Sequence, residues 1–218
     1  MNSEEIIWTC LRNKGLTEYA VAGIMGNLYA ESGLQSNILQ ITYQSSLGMT
    51  SEQYTAAVDN GSYNNFVNDT AGYGLAQWTF WSRKQDLLNM AKGKHVSVGD
   101  LTMQLDFLCA ELQEFGLWNK LNNCNSVREA SNLILFEFEK PQDMGTSVQN
   151  ARANWSQTYY NKYADKLILP AQQIPVQPKN DQTYCVLCFR RDLDKPTAQQ
   201  QLSLLQAYGF TGIIIPEA

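Results

Sequence analysis

Apolar residues recur at helical spacing through most of the first 166 positions. Over residues 3–15, Ile6, Ile7, Cys10 and Leu11 fall on one face; Glu4 and Glu5 suit the positive end of a helix, and Gly15 can stop it. A second helix is predicted from the N-cap Thr17 to about Ser32, with Gly33 as its terminator. Its core stripe of Ala20, Val21, Ile24 and Leu28 continues at the same spacing to Glu31. Further helices are predicted over 51–58, 82–92, 101–114, 126–139 and 147–163, with Ser51, Ser82, Asp100, Ser126 and Ser147 as N-caps. Residues 59–81 are rich in Gly, Asn, Asp and aromatics, the composition of a turn-heavy hairpin region.

From Leu169 the text changes to LPAQQIPVQPKNDQ, rich in Pro and Gln and without helical periodicity. The expected organisation is a helical domain over 1–166, a semi-extended linker over 167–182, and a small β-α-β unit over 183–218. The fold class is therefore α+β, mainly α. In the last unit, Tyr184 to Phe189 and Ile213 to Ile215 read as strands. They bracket a helix whose stripe includes Leu202, Leu205 and Tyr208. About 35 residues is small for independent burial, so this unit is expected to dock on the first domain or to pair its sheet edges in a homodimer.

Composition narrows the classes. The net charge of −5 argues against a nucleic-acid partner, whose phosphates want a basic face. No run approaches the roughly 18 to 20 apolar residues of a membrane span. The start, MNSEEIIWTC, lacks the basic and apolar regions of a signal peptide, so the expectation is a protein made in the cytosol and delivered by other means. The five cysteines, Cys10, Cys109, Cys124, Cys185 and Cys188, read as reduced thiols. Cys185 and Cys188 form a lone pair at C-x-x-C spacing, and His95 is the only histidine, a plain surface residue by its context. No metal or other cofactor is expected.

The second helix carries the chemistry. A carboxylate at the end of a core-facing stripe is poorly solvated, and desolvation disfavours its charged form. Glu31 is thus expected to keep its proton, as a general acid requires. Ala22, Gly26 and Ala30 form a second stripe of small residues at spacing four. A helical Gly costs about 1 kcal/mol against Ala, so its presence there points to close approach of another backbone and a rigid mount for the acid.

Three segments then fall in order: GIMGNLYAESG at 23–33, AGYGLAQWT at 71–79 and FEFEKP at 136–141. Together they resemble the phage tail-associated lysozyme family. Lys140 stands where that family's F-E-x-P signature usually has Arg. More distantly they are similar to goose-type lysozymes and lytic transglycosylases, which share the E-S-G helix end and a Gly-x-Gly-x-x-Gln turn. The resemblance covers about residues 3–166. It implies a lysozyme-like fold and a peptidoglycan-cutting glycosidase, with Glu31 as catalytic acid. Gly72, Tyr73, Gly74 and Gln77 would form the substrate-cleft turn, with Ser32, Trp78 and Glu139 as further substrate-binding residues. Glycines at 72 and 74 would let backbone amides approach a sugar, and Gln77 offers both donor and acceptor. Of the nearby aromatics Tyr43, Tyr63, Phe66, Tyr73, Trp78, Phe80 and Trp81, two or three are expected to face the cleft, Tyr73 first among them. Last, residues 184–218 resemble the first half of sporulation-related repeat domains, which bind glycan strands stripped of peptides.

Glycosidases of this kind usually add a second carboxylate. Asp69, just before the Gly-Tyr-Gly turn, is the candidate, while Glu139 could line the cleft but reads better as a structural partner for Arg or a helix end. Three outcomes stay open: inversion through an activated water, retention, or attack by the muramyl 6-hydroxyl as in lytic transglycosylases. The partners implied are peptidoglycan glycan strands and phage tail proteins, in the virion or at the bacterial wall. The alternatives are an endolysin, a conjugation-associated lysozyme, a catalytically inactive glycan-binding module, or a purely structural tail protein. The acidic charge gives no pull toward an anionic wall.

Overall fold

The computed structural model describes residues 2–164, and among these the chain is almost wholly helical. Helix α1 (Ser3–Asn13) begins with a reciprocal capping box: Glu5 N donates to the Asn2 side chain, and Asn2 N donates to the Glu5 carboxylate. Helix α2 (Glu18–Ser32) starts at Thr17, whose hydroxyl accepts from Ala20 N, and ends at Gly33 in the left-handed conformation, φ 61°. There follow α3 (Ile41–Leu47), α4 (Ser51–Asp59), α5 (Trp81–Lys94), α6 (Leu101–Glu114), α7 (Leu117–Asn122) and α8 (Val127–Leu133). A π-helical turn (Ile134–Glu139) extends α8, and α9 (Thr146–Tyr163) completes the described chain.

Helix α2 is the axle of the domain. Ala20 through Leu28 are all buried, and the helix packs chiefly against α9 and α8. Its two inner glycines explain the close fit. A Cβ on Gly26 would lie 2.1 Å from Ser156 Oγ and 2.7 Å from the Arg152 carbonyl on α9, and one on Gly23 would lie 2.6 Å from the Ala130 backbone on α8. The small-residue stripe read from the sequence thus faces α9 at Gly26.

The hairpin region differs from its expectation. Among the described residues there is no strand; two isolated antiparallel bridges, Leu39 with Tyr73 and Tyr73 with Trp78, are all that forms. Left-handed backbone at Thr70, Gly74 and Gln77 turns the chain too tightly for a second rung. Two short helices, α3 and α7, were not expected. N-caps also shift by a residue or two: Thr50 rather than Ser51, Phe80 rather than Ser82, Gly145 rather than Ser147. Asp100 and Ser126 cap where predicted. Cys10, Cys109 and Cys124 are free thiols, and among the described residues no helix is long and apolar enough to cross a membrane. The linker over 167–182, the β-α-β unit over 183–218 and the Cys185/Cys188 pair lie outside the described residues.

Candidate active site

Glu31 sits in the last turn of α2, and its side chain is 21 % exposed, so one edge reaches solvent. Facing it is a residue the sequence reading did not single out. Arg152, buried on α9, donates from Nη2 to Glu31 Oε1 at 2.5 Å. Its Nη1 donates to the carbonyl and side-chain oxygens of Asn27, each at 3.2 Å. Asn27 is fully buried and in turn donates to the carbonyls of Gly23 at 2.8 Å and Ser131 at 3.0 Å. One guanidinium therefore ties the last two turns of α2 to α9, while Asn27 ties the same stretch to α8. The glycine at 26 is what lets α9 come near enough for this. A signal existed: Arg152, Ser156 and Tyr159 lie on the buried stripe of α9, and a cation on such a stripe wants an anion.

The second carboxyl of the cluster belongs to Glu139, the last residue of the π turn. Its Oε1 is buried and has no hydrogen-bond partner. Burial pushes its pKa up to about 8, the nearby charge of Glu31 adds to the rise, and Arg83 and Arg152 oppose it. The carboxyl whose proton is held by desolvation is therefore Glu139, whereas Glu31 meets a cation. Arg83, on α5, forks onto Glu111 at 2.5 and 2.8 Å and lies 4.7 Å over the Phe138 ring.

Asp69 stands apart from this cluster in its bonding. Its carboxylate pairs with Lys84 Nζ at 2.5 Å, and the two side chains are 2 % and 0 % exposed. It also accepts from Tyr54 and Tyr63 hydroxyls and from Ala71 N. Lys84 further donates to the Ala71 carbonyl at 2.8 Å and lies over the Phe66 ring. Burial lowers the Lys84 pKa while Asp69 opposes the shift.

The glycine turn also faces inward. Tyr73, expected at the cleft surface, is fully buried against Tyr54 and Phe66, with its hydroxyl 2.6 Å from Thr55 Oγ1. Trp78 is equally buried and donates to Glu111 at 2.8 Å. The amides meant for a sugar are taken internally: Gly72 N by the Gln40 side chain, Gly74 N by the Ile38 carbonyl. Gln77 donates to the carbonyls of Gly74 and Ile38, and Ser32 to that of Leu28. The reason is packing: as the shared residue of both bridges, Tyr73 carries the turn into the core. Gly74 at φ 76° leaves no room for a Cβ beside Gln104. Of the aromatics named for this region, Phe80 and Trp81 are the most exposed, at 61 % and 58 %, while Tyr43 and Tyr63 are half-buried.

Residues 2–163 match the model of the family described as phage tail lysozyme. The match takes in every element described above, from the capped start of α1 to the end of α9, including Glu31, Glu139 and Arg152. Such coverage, on a helical scaffold that brings an acid-bearing helix end together with a second carboxyl, shows that the chain belongs to the phage tail lysozyme family.

Proposed function

We propose that this chain cuts the β-1,4 glycan bond of peptidoglycan with Glu31 as general acid, as part of a phage tail or virion. Family membership implies a glycosidase-type enzyme with lysozyme-like activity; the assignment of the acid rests on one observation. Of the two carboxyls in the cluster, the Glu31 side chain is 21 % exposed, whereas Glu139 has a buried, unpartnered Oε1 and a pKa that burial raises. In the proposed step the Glu31 carboxyl gives its proton to the bridging oxygen as the C1–O4 bond breaks, and Arg152, whose Nη2 already donates to Glu31 Oε1, holds the carboxylate that remains. The turn at Gly72, Tyr73, Gly74, Gln77 and Trp78, with Ser32, is assigned to supporting this constellation rather than to touching sugar. Asp69 is assigned to a structural ion pair.

Hydrolysis by water is the first outcome. Attack by the muramyl 6-hydroxyl is the second, favoured by one feature: neither Asp69, engaged by Lys84, nor Glu139, buried and proton-retaining, presents a free carboxylate to activate water. Mass spectrometry of the digestion products separates the two, since only the second leaves an anhydro end. The acid itself is tested by Glu31→Gln. Clearing of purified peptidoglycan is expected to be abolished with the helical circular dichroism intact. Full activity in that variant refutes the assignment.

A further inference from the structure

We infer that Phe80 and Trp81 form a sugar-stacking subsite, which holds a pyranose ring of the glycan strand away from the scissile bond. The inference rests on the reading of the chain as a peptidoglycan glycosidase and deepens it. Phe80 and Trp81 are consecutive, both more than half exposed, with ring centroids 6.1 Å apart at 42°. Phe80 occupies the N-cap of α5, a position where Ser, Thr, Asp or Asn would satisfy a helix amide, and it makes no side-chain capping bond. Forgoing that cap costs about 1 kcal/mol. A local rule broken without a structural gain is expected where function asks for it.

The surroundings name the ligand class. The two rings border an open groove of about 530 Å³ whose other walls are Val67, Asn68, Thr70 and Thr79. That volume suits a small number of sugar units. The groove sets ring faces beside the Asn68 amide and two threonines, whose hydroxyls donate to the carbonyls of Asp69 and Gln77 and can still accept, and none of its lining side chains is charged. Aromatic faces with such polar neighbours fit a neutral pyranose, apolar on its C–H face and hydroxylated at its edge. A charged protein surface would find nothing there to pair with.

The test uses the full chain carrying Glu31→Gln, which binds without turnover, titrated calorimetrically with GlcNAc–MurNAc oligomers of defined length. Trp81→Ala and Phe80→Ala on this background are each expected to weaken binding of the longest oligomer about tenfold, within the range of an aromatic contact. Disaccharide affinity is expected to stay unchanged, and Trp81→Tyr to retain most of the binding. On the active chain, Trp81→Ala is expected to raise KM on purified peptidoglycan about tenfold with kcat within about twofold, the pattern of lost uniform binding. Unchanged long-oligomer affinity and KM in a normally folded Trp81→Ala chain overturn the subsite while leaving the glycosidase reading standing. A fall in kcat alone also overturns it, placing the rings at the reacting atoms. Failure of the parent chain to bind or cut any glycan sinks both.

Discussion

Replacing Asp69 by Asn separates structure from chemistry at the carboxylate that the sequence offered as catalytic partner. Asn has nearly the same shape and its amide oxygen can still accept from the Tyr54 and Tyr63 hydroxyls, but its NH2 then faces Lys84 and Ala71 N, so the change removes both the charge and the acceptor on that side. That ammonium is 0 % exposed, and its other acceptors are the Ala71 carbonyl and the Tyr54 oxygen. Breaking a buried pair by removing one partner costs about 3–5 kcal/mol. This is a large share of the roughly 5–15 kcal/mol that holds a domain together. For a chain of this size it lowers the melting temperature by about 6–20 °C. Urea unfolding should show the loss as a lower midpoint at an unchanged slope. Clearing of peptidoglycan per folded molecule, assayed well below the new midpoint, should match the parent chain. Adding Lys84→Met should recover much of the stability, because a well-packed apolar pair can replace a buried ionic one. Normal stability with abolished clearing would refute the structural assignment and return Asp69 to the chemistry.

Two other perturbations address the Glu31 cluster. Glu139 carries a pKa raised from 4.5 to about 8. Between those values the native state keeps a proton that the unfolded chain releases, so stability falls as pH rises through that window. Glu139→Gln, neutral throughout, should therefore gain in melting temperature over the parent as pH climbs from about 5 to about 9; a constant difference across that range contradicts the buried proton. Gly26→Ala would add a methyl 2.1 Å from Ser156 Oγ and 2.4 Å from its amide. Overpacking of about 1–3 kcal/mol outweighs the helix gain of about 1 kcal/mol. Scanning calorimetry should show a lower melting point, with kcat/KM reduced as α9 carries Arg152 off Glu31; a stabilised, fully active variant would remove the close-contact argument.

Much of the scaffold was legible because its signals are local. Thr17 and Gly33 delimit α2 as read, and Gly26 faces a neighbouring backbone as its cost implied. The partner of Glu31 was not legible in the same way: Arg152 lies 121 residues away, and spacing rules do not reach so far. The inward bonding of the glycine turn was not legible either, because glycines admit close approach by anything, and their neighbours here include Gln40 and Gln104. Likewise Asp69 reads as a loop acid until Lys84, 15 residues on in α5, is seen to fill its other side. The π turn has no compositional signature that would distinguish it from the α-helix expected over 126–139.

That wide turn has a consequence for variation among relatives. Each residue of an α-helix advances the chain by about 100°, so one residue more or fewer between Ile134 and Glu139 would swing the following side chains to another quadrant. The buried acid is held inward by a count of positions as much as by the letter at 139. A chain that kept the glutamate but lost one neighbour upstream would be, for this carboxyl, equivalent to a point mutant. Alignment columns that score identity alone would miss it.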